Sequence, residues 1–426
     1  MLCLVFIAFA VAAGKIHHHV RAASFLERHP WVAPQDGRPR FETRFVTLEP
    51  NRHNHAACLV ELPDGRVRAF WYSGSREGAR DVEVRTAVFD PGGGAWGAEK
   101  TAASAAHTER SVWRYVLKVG NPAAILTTDG TLWLFYVTVS VGGWGGSSIT
   151  AVTSQDGGET WSGARRLVSS PFLNLGMLVR GEPFEYADGT IGLPGYQELI
   201  GISSELLRVD SSGTVVDRQR LSAAALATQP VVLVRSSTNA IVLMRSPRLE
   251  RSHSVQVAMT HDAGRVWSPP AALPLANPDA ALSGVVLPDG RIVVALNDAE
   301  AERDVLSLVV SGDGGLTWRT ARQLETQLAA RTAPVDDARY DRAVESLARG
   351  SDRRVGDARA YVESSRRFMC WEPRCHFEFS YPFIIQTRQG DFHVVYTWNR
   401  SFIKHVQFNL AWLDESPASS TDASLH

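Results

Sequence analysis

Apolar residues recur along the chain in pairs of short runs, and each pair is separated by a turn signal. The first pair spans residues 57–62 and 67–72, with Asp64 and Gly65 between the two runs. Asp-Gly between alternating strands is a strong hairpin signal, because the turn needs residues that tolerate positive φ. The pattern therefore predicts two antiparallel strands joined by a tight turn.

The same hairpin is predicted five more times, each time starting at a proline. The copies are Pro122 with Asp129-Gly130, Pro183 with Asp188-Gly189, Pro230 with Thr238-Asn239, Pro278 with Asp289-Gly290, and Pro382 with Gln389-Gly390. Proline is allowed at the first residue of a strand, where its missing N–H is not yet needed. Six hairpins predict an all-β fold, a six-bladed β-propeller.

A second motif, Ser/Thr-x-Asp-x-Gly-x-x-Trp, supports the repeat. It occurs at residues 154–161, 260–267 and 311–318. The first two copies are about two units of a roughly 50-residue period apart, and the last two are about one unit apart. The Asp and Ser/Thr side chains can bond the turn backbone, while the Trp packs between strands. The motif resembles the Asp-box of sialidases and related propellers, which has a structural role on the outer edge of blades.

Two further stretches bear on the architecture. Residues 41–48 alternate well enough to form a strand, which would supply the outer strand of the last blade and close the ring. Residues 326–375 break the period, are rich in Ala, Arg, Asp and Glu, and predict one or two helices within 335–367. Such a long insertion before the last blade is either a lid over one mouth of the ring or a solvated excursion.

The two ends of the chain have a different composition from the middle. Residues 1–13 are apolar from Leu2, with small residues at 11–13, which predicts a secretory signal peptide and a secreted protein, with a membrane anchor as the alternative. Residues 14–40 contain three prolines and predict a linker. We expect the propeller to span residues 41–415 and a tail to follow at 416–426.

Net charge and cysteine content limit the partners, cofactors and covalent links that the sequence predicts. The 426 residues carry a net charge of −1, which gives no reason to expect nucleic acid or an acidic membrane as partner. Cys370 and Cys375 are close enough for a local disulfide in an oxidising compartment. No metal site or other cofactor is predicted, since His376 alone stands beside these cysteines and His17–His19 fit a solvated linker better. The sequence gives no sign of an obligate protein partner.

Polar residues at the starts and ends of the predicted strands are the candidates for chemistry, because the innermost strands of a propeller converge on its ligand site. Arg, Glu and Lys are rarely buried there unless they are paired or functional. Structural ion pairs between blades are the alternative for any one of them. The candidates are His55, Arg76, Glu77, Asp81, Asn121, Arg180, Glu182, Tyr196, Gln197, Glu198, Gln229, Arg245, Asn277, Asn297, Asp298, Glu378, Tyr381, Tyr396, Trp398, Arg400, Lys404 and His405, with the loop 142–146.

The chain resembles the BNR-repeat "predicted neuraminidase" family over about residues 50–325 and 376–410. The motifs that carry the resemblance are Asn54-His55-Ala56-Ala57, Leu62-Pro63-Asp64-Gly65, Ser73 to Gly78 with Asp81, Gly120-Asn121-Pro122, Ser170 to Asn174, Arg180-Gly181, Ser380-Tyr381-Pro382, Tyr396 to Arg400 and Ile403-Lys404-His405. The resemblance implies a glycoside hydrolase that removes a terminal acidic sugar from a glycan.

The resemblance also implies roles for individual residues. Asp81 stands where the acid/base Asp of an exo-sialidase falls, and Tyr381 stands at the nucleophile. Arg76 and Arg245 correspond to two arginines of the cluster that binds the substrate carboxylate, since Arg holds a carboxylate bidentately. A Tyr nucleophile departs from the two-carboxylate scheme of most glycosidases. Glu77, Arg180, Gln229, Tyr396, Arg400 and Lys404 are further expected substrate-binding residues.

Three departures separate this sequence from a typical exo-sialidase. His55 stands where the first-blade Arg belongs, and Gln229 replaces the Glu that assists the nucleophile. The third Arg is matched only by Arg374, and Glu378 is the candidate to replace the missing carboxylate. Two alternatives therefore stay open. One is a lyase or His-dependent glycosidase acting on uronate-containing glycans through His55 and Tyr381, and the other is a non-catalytic carbohydrate-binding propeller.

Overall fold

Six antiparallel sheets follow one another along the chain, each built around one of the predicted hairpins. The computed structural model describes residues 24–27, 37–170, 174–199, 201–222, 227–246, 253–328, 336–371 and 374–415. The expected six-bladed β-propeller is confirmed, and the inner strands of neighbouring blades pack side by side around the ring.

The first three blades contain strands β2 to β15. Blade 1 consists of β2 (His53–Glu61), β3 (Val67–Gly74), β4 (Glu83–Asp90), β5 (Ala95–Trp96) and β6 (Lys100–Ser104). Blade 2 consists of β7 (Lys118–Leu126), β8 (Leu132–Val139), β9 (Ser147–Ser154) and β10 (Arg165–Arg166). Blade 3 consists of β11 (Met177–Val179), β12 (Phe184–Glu185), β13 (Ile191–Gln197), β14 (Ser203–Val209) and β15 (Val215–Arg220).

The last three blades complete the ring. Blade 4 consists of β16 (Thr228–Val234), β17 (Ala240–Arg245), β18 (Ser254–Thr260) and β19 (Ala271–Ala276). Blade 5 consists of β20 (Ser283–Val286), β21 (Ile292–Leu296), β22 (Val305–Ser311) and β23 (Arg319–Thr326). Blade 6 consists of β26 (Phe379–Gln386), β27 (Phe392–Trp398), β28 (Phe402–Phe408) and, as its outer strand, β1 (Phe41–Phe45).

The outer strand β1 closes the ring as its alternating pattern predicted. It pairs antiparallel with β28, in a register that sets Phe41 opposite Phe408 and Phe45 opposite Lys404. The last blade thus combines the first described strand of the chain with the last three. This pairing removes a free sheet edge and joins both ends of the propeller in one sheet.

The inner strands are interrupted at a common level. The pairing register shifts after His55 in blade 1, after Gly120 in blade 2, after Thr228 in blade 4 and after Ser380 in blade 6. In blade 3 the inner strand is divided into β11 and β12, with Arg180 in the gap. A bulge re-aims the side chains beside it, and bulges are common next to active sites.

The bulges also explain why three of the inner strands can contain a proline. Pro122, Pro230 and Pro382 lie inside β7, β16 and β26 rather than at the first residue of each strand, so that part of the sequence prediction is corrected. The ladder is locally broken there, and proline's missing N–H therefore costs no hydrogen bond. The residues just before two of these prolines, Gln229 and Tyr381, adopt positive φ of 49° and 54°.

The three Asp-box motifs form the predicted turns between the third and fourth strands of blades 2, 4 and 5. In the first, Asp156 accepts hydrogen bonds from the backbone N–H groups of Glu159 and Thr160 at 3.0 and 2.9 Å. Ser154 accepts from Gly158 N–H at 2.8 Å. These bonds favour the ionised side chain and lower the pKa of Asp156, with the Thr160 hydroxyl making the largest contribution.

The insertion before blade 6 is helical, as predicted, and contains α2 (Asp337–Ser351), α3 (Arg359–Met369) and a small hairpin of β24 (Cys370–Trp371) and β25 (Arg374–Cys375). The expected Cys370–Cys375 disulfide closes this hairpin. The helices bury Tyr340, Val344 and Tyr361 against blades 5 and 6, so the insertion is not a solvated excursion. Two other short helices are α1 (Ala105–Val112) and α4 (Leu410–Asp414).

Part of the predicted linker docks on the propeller. Phe25 is 1% exposed and packs between the rings of Phe184 and Tyr186 in blade 3, at centroid distances of 5.5 and 5.4 Å. Its backbone N–H donates to the Ser237 carbonyl of blade 4 at 2.8 Å. Residues 24–27 therefore tie two blades together. The predicted signal peptide, at residues 1–13, and the tail, at 416–426, lie outside the described residues.

The helices of the described ranges are all too short or too polar to cross a membrane.

Candidate functional site

A cavity of about 290 Å³ opens at the end of the ring where the inner strands begin. Every blade contributes to its wall, as expected from the polar residues at equivalent strand ends. The lining residues are His55, Tyr72, Glu77, Asn121, Trp144, Leu178, Tyr196, Glu198, Ile202, Thr228, Gln229, Arg245, Asp279 and Tyr381.

Tyr381 presents a hydroxyl oxygen that receives two hydrogen bonds in this cavity. Arg245 Nη1 donates to Tyr381 Oη at 2.9 Å, and Gln229 Nε2 donates to it at 3.3 Å. The same Arg245 nitrogen donates to Gln229 Oε1 at 2.9 Å. Because Arg can only donate, the amide oxygen of Gln229 must face Arg245, and its NH₂ group must face the tyrosine. Two donors aimed at one phenol oxygen favour the phenolate.

The electrostatics around Tyr381 lead to the same conclusion. Burial alone would raise the pKa of Tyr381, but the positive charges of Arg245 and Arg303 outweigh burial and lower the pKa below its usual value, helped by the Gln229 hydrogen bond. The Arg303 guanidinium lies 5.7 Å from the centre of the Tyr381 ring. Tyr381 is therefore the phenol of the site that ionises most readily.

A second tyrosine in the same wall is shifted in the opposite direction. Tyr196 Oη accepts from Asn121 Nδ2 at 3.1 Å and from Gln229 Nε2 at 3.4 Å. Burial, followed by the repulsion of Tyr381 and Glu198, raises the pKa of Tyr196. Neighbouring groups whose pKa values are driven apart are a mark of assigned acid and base roles.

Arg245 is fixed at the end of β17 by an ion pair. Its Nε donates to Asp279 Oδ1 at 2.5 Å, and Asp279 itself adopts a positive φ of 55° in the loop before β20. Burial alone would lower the pKa of Arg245, but Tyr381 and Asp279 outweigh burial and raise it. The guanidinium is a permanent positive charge against the Tyr381 oxygen.

His55 also lines the cavity and packs against Tyr381, with the two ring centres 4.2 Å apart. Its Nδ1 is 2.8 Å from the hydroxyl of Thr397, and that hydroxyl also accepts from the Ala56 N–H at 3.3 Å. Burial is the main cause that lowers the pKa of His55 well below its usual value, and Arg400 and His53 add to it. His55 is consequently a neutral imidazole and not a replacement for the charge of an arginine.

Glu378 lies behind the cavity in an ion-pair network. Arg400 Nε donates to its carboxylate at 2.7 Å, Arg303 Nη1 at 3.2 Å and the Ser380 hydroxyl at 2.5 Å. Burial alone would raise the pKa of Glu378, but the charges of Arg400 and Arg303 lower it to about 2. Glu77 continues the network to the cavity wall, 3.4 Å from Arg400 Nη1. Glu378 thus holds Arg303 in place.

Arg180 is buried under the nucleophile candidate rather than in the cavity wall. Its Nη2 donates to the carbonyl oxygens of Tyr381 and Pro382 at 2.9 and 3.1 Å, and its Nη1 donates to the Ala57 carbonyl at 3.2 Å. These three bonds join the gap in blade 3 to the bulges of blades 6 and 1. Arg180 therefore supports the site from beneath.

Besides Arg180, Glu378 and Arg400, four more of the expected site residues are outside the cavity wall. Arg76 and Asp81 are exposed, and Asp81 accepts from the backbone N–H and hydroxyl of Ser75 at 2.9 and 2.8 Å. Tyr396 and Lys404 are buried between blades 5 and 6, where both bond Glu325 Oε1, at 2.6 and 2.5 Å. Tyr396 and Lys404 therefore have the structural role between blades that the sequence analysis gave as the alternative.

Two neighbours of the Tyr381 site were missed by the sequence analysis. Arg303 lies in the loop between β21, which ends at Leu296, and β22, which begins at Val305, so it does not match the position at which Arg245 ends β17. Asp279 also lies in a loop, before β20, and the hairpin pattern gives no signal for either residue. Arg374, the expected third arginine, is exposed on the disulfide hairpin.

Across the described ranges, no cluster of three or more His, Cys, Asp and Glu residues is close enough to hold a metal ion.

The sequence itself has a family match over most of the propeller. Residues 65–394 match the BNR repeat-like domain. The chain belongs to this family. The comparison with curated proteins gave no match.

Solved structures of sialidases share the fold. The Hadza microbial sialidase Hz136 superposes with a TM-score of 0.62 at 15% sequence identity, over 84% of this chain and 66% of that protein. The NanB sialidase of Streptococcus pneumoniae gives 0.61 at 10% identity, over 91% and 71% of the two chains. The leech intramolecular trans-sialidase gives 0.58 at 12% identity, over 86% and 69%. At these identities the likeness concerns the sialidase-like propeller fold.

Proposed function

We propose that this BNR-repeat protein is a glycoside hydrolase that releases a terminal acidic sugar, with Tyr381 as its nucleophile. The observation that carries the proposal is the pair of donors, Arg245 and Gln229, on the Tyr381 oxygen inside the cavity. A lowered pKa makes the phenolate more available as a nucleophile without an adjacent base. The lowered pKa takes the place of the missing Glu, because nearby cations rather than a carboxylate promote ionisation of Tyr381.

The reaction follows in two steps. The Tyr381 phenolate attacks the anomeric carbon while the bond to the leaving oxygen breaks, and a carboxylic acid protonates that oxygen. Water, deprotonated by the same carboxylate, then displaces the phenolate from the sugar. Arg245, the arginine of the cavity wall, binds the substrate carboxylate. The charges of Arg245 and Arg303, 6.0 and 5.7 Å from the centre of the Tyr381 ring, also stabilise the phenolate as it leaves.

Two carboxyl groups compete for the acid/base role. Asp81 has it by family resemblance, whereas Glu198 lines the cavity. Burial raises the pKa of Glu198, Arg245 opposes that shift and Asp279 adds to it. A raised pKa keeps the proton available near neutral pH, which favours Glu198.

The test is a mass-spectrometric screen of the purified protein against sialylated and uronate-containing glycans. We expect a saturated acidic monosaccharide as product and its loss in Tyr381→Phe. Glu198→Gln and Asp81→Asn are then compared on a natural glycan and on an aryl glycoside with a good leaving group. The acid is the residue whose replacement slows turnover of the natural glycan far more than turnover of the aryl glycoside. Full turnover by Tyr381→Phe would exclude the proposal.

His55 supports a second candidate, a lyase acting on uronates. Its neutral ring lies 4.2 Å from the Tyr381 ring, so one group can remove the proton beside the carboxylate while the other protonates the leaving oxygen. The pair of electrons from the broken C–H bond forms the new double bond as the glycosidic bond breaks. The product then absorbs in the near ultraviolet, and a saturated product would exclude this reaction. Binding without any turnover would favour a carbohydrate-binding propeller instead.

We also propose that the protein works outside the reducing cytoplasm. The Cys370–Cys375 disulfide supports this location, since such bonds persist in oxidising compartments. Fractionation of the native cells, with immunodetection of the protein, tests it. Recovery only from the cytoplasm, with both thiols free, would contradict it.

A further inference from the structure

The polar wall of the cavity contains an apolar patch. Blades 2 and 3 contribute the apolar side chains of Trp144, Leu178 and Ile202 to this patch. The charged groups of the wall come from several blades: Arg245 and Asp279 lie beside Tyr381, and Glu77 and Glu198 come from blades 1 and 3. An acidic sugar would bind the charged groups, so the apolar patch needs its own explanation.

Trp144 begins a 3₁₀ turn, Trp144–Gly146, in a glycine-rich loop between β8 and β9. Its ring is held against the inner strand of blade 2 at Gly120, where an added Cβ would lie only 2.8 Å from ring atom Cη2. Glycine at 120 thus permits this position of the ring. The indole is set by the fold and is not a loose surface side chain.

One face of the Trp144 ring is already occupied. The ammonium group of Lys118 lies 4.2 Å from the ring centre, at cation–π distance. Lys118 is buried and is not among the residues that line the cavity, whereas Trp144 is. The part of the indole that lines the cavity is therefore open to a ligand.

Polar groups accompany this aromatic surface. Asn121 and Tyr196 line the same wall and are joined by the 3.1 Å hydrogen bond from Asn121 Nδ2 to Tyr196 Oη. A preformed apolar surface with a few fixed hydrogen-bonding groups is typical of a small-molecule site. A neutral pyranose fits it, because its C–H face packs on an aromatic ring while its hydroxyls bond the amide and phenol.

We propose that the wall formed by Trp144, Leu178, Ile202 and Asn121 is a subsite for a neutral pyranose, the sugar to which the released residue was attached. The position of this sugar relative to the cleaved bond rests on the proposed function. Recognition of a neutral sugar by Trp144 does not rest on the proposed function. The test therefore measures the binding of a neutral sugar separately from turnover.

The probe is lactose, a neutral disaccharide, and the measurement is saturation-transfer NMR with the full chain. Wild type and Trp113→Ala, which removes a 95% exposed Trp far from any lining role, should bind lactose equally. Trp144→Ala should weaken binding about tenfold, as expected for the loss of one aromatic contact. Thermal melting of each variant establishes that it is folded.

Gly120→Ala provides an independent variant, since it displaces the Trp144 ring without removing it. It should also weaken lactose binding. Tyr381→Phe should leave lactose binding unchanged whether or not it abolishes turnover, so the subsite and the proposed reaction can fail separately. No lactose signal with wild type, or an equal signal with folded Trp144→Ala, would overturn the subsite.

Discussion

Arg180 donates a 2.9 Å hydrogen bond to the carbonyl oxygen of Tyr381, and its guanidinium lies 5.4 Å from the centre of the same tyrosine's ring. A buried cation from blade 3 therefore holds the backbone of a blade 6 residue whose φ is 54°. Strained backbone persists where its surroundings determine it strongly. Arg180 is in this sense a positioning residue for Tyr381.

Replacement of Arg180 by Met should lower kcat by about ten- to a hundredfold with little change in KM, because a small displacement of a reacting group is costly. Steady-state kinetics on the glycan that the screen identifies as substrate gives both constants. Arg66→Met, which alters a half-exposed arginine at the turn between β2 and β3, is the control and should resemble wild type. A change confined to KM would mean that Arg180 binds substrate instead.

Arg303→Met should raise the pKa of Tyr381, because a positive charge 5.7 Å from the ring is removed. The nucleophile then ionises only at a higher pH than in wild type, so the acidic limb of the kcat/KM profile should move to higher pH. Titration of tyrosinate absorbance in wild type, Arg303→Met and Tyr381→Phe identifies the group that moves. An unchanged limb would show that Arg303 does not control ionisation.

Glu378→Gln should destabilise the fold at neutral pH by about 3 kcal/mol, since two partly buried arginines lose a shared, buried carboxylate. Glu378 has a pKa of about 2 in the folded protein, below its unfolded value, so its contribution is complete above the unfolded pKa. That contribution is lost as the pH falls towards about 2. Urea unfolding across this range should show wild type approaching the variant at low pH. A constant difference would contradict the assigned pKa.

Phe25→Ala should lower the free energy of unfolding by about 3–5 kcal/mol, the cost of emptying an aromatic site in a core. Phe25 is 1% exposed, and the matched control Leu48→Ala alters a side chain that is 53% exposed and should stay within about 0.5 kcal/mol of wild type. Chemical unfolding measures both. Equal stability of the two variants would show that residues 24–27 contribute nothing to the ring.

Local turn chemistry made the blades predictable from the sequence. Asp64-Gly65 and Asp156 act within a few residues of their own position, so their turns follow from the sequence alone. The closing strand at Phe41–Phe45 was also predicted, from the alternation of the sequence, but its burial follows its neighbours instead: Phe41 is exposed, while Arg44 and Phe45 are both buried. These signals do not depend on distant contacts.

Side-chain direction at the site was much less predictable. Tyr381 was found by resemblance, but its partner Arg303 comes from a loop of another blade. Tyr396 looked like a site residue because it is polar and near a strand end, yet its hydroxyl bonds Glu325 between blades. A bulge shifts the alternation by one residue, and sequence periodicity does not reveal where that shift occurs.

The joining of Phe41–Phe45 to Phe402–Phe408 also has a consequence for synthesis. On the ribosome, β1 emerges early and then has no partner until β28 follows, after five other blades have been made. Tyr381 belongs to the same late blade, so the nascent chain acquires Tyr381 and its closed ring almost together. A product terminated before this blade would carry an unpaired β1 edge and would lack Tyr381.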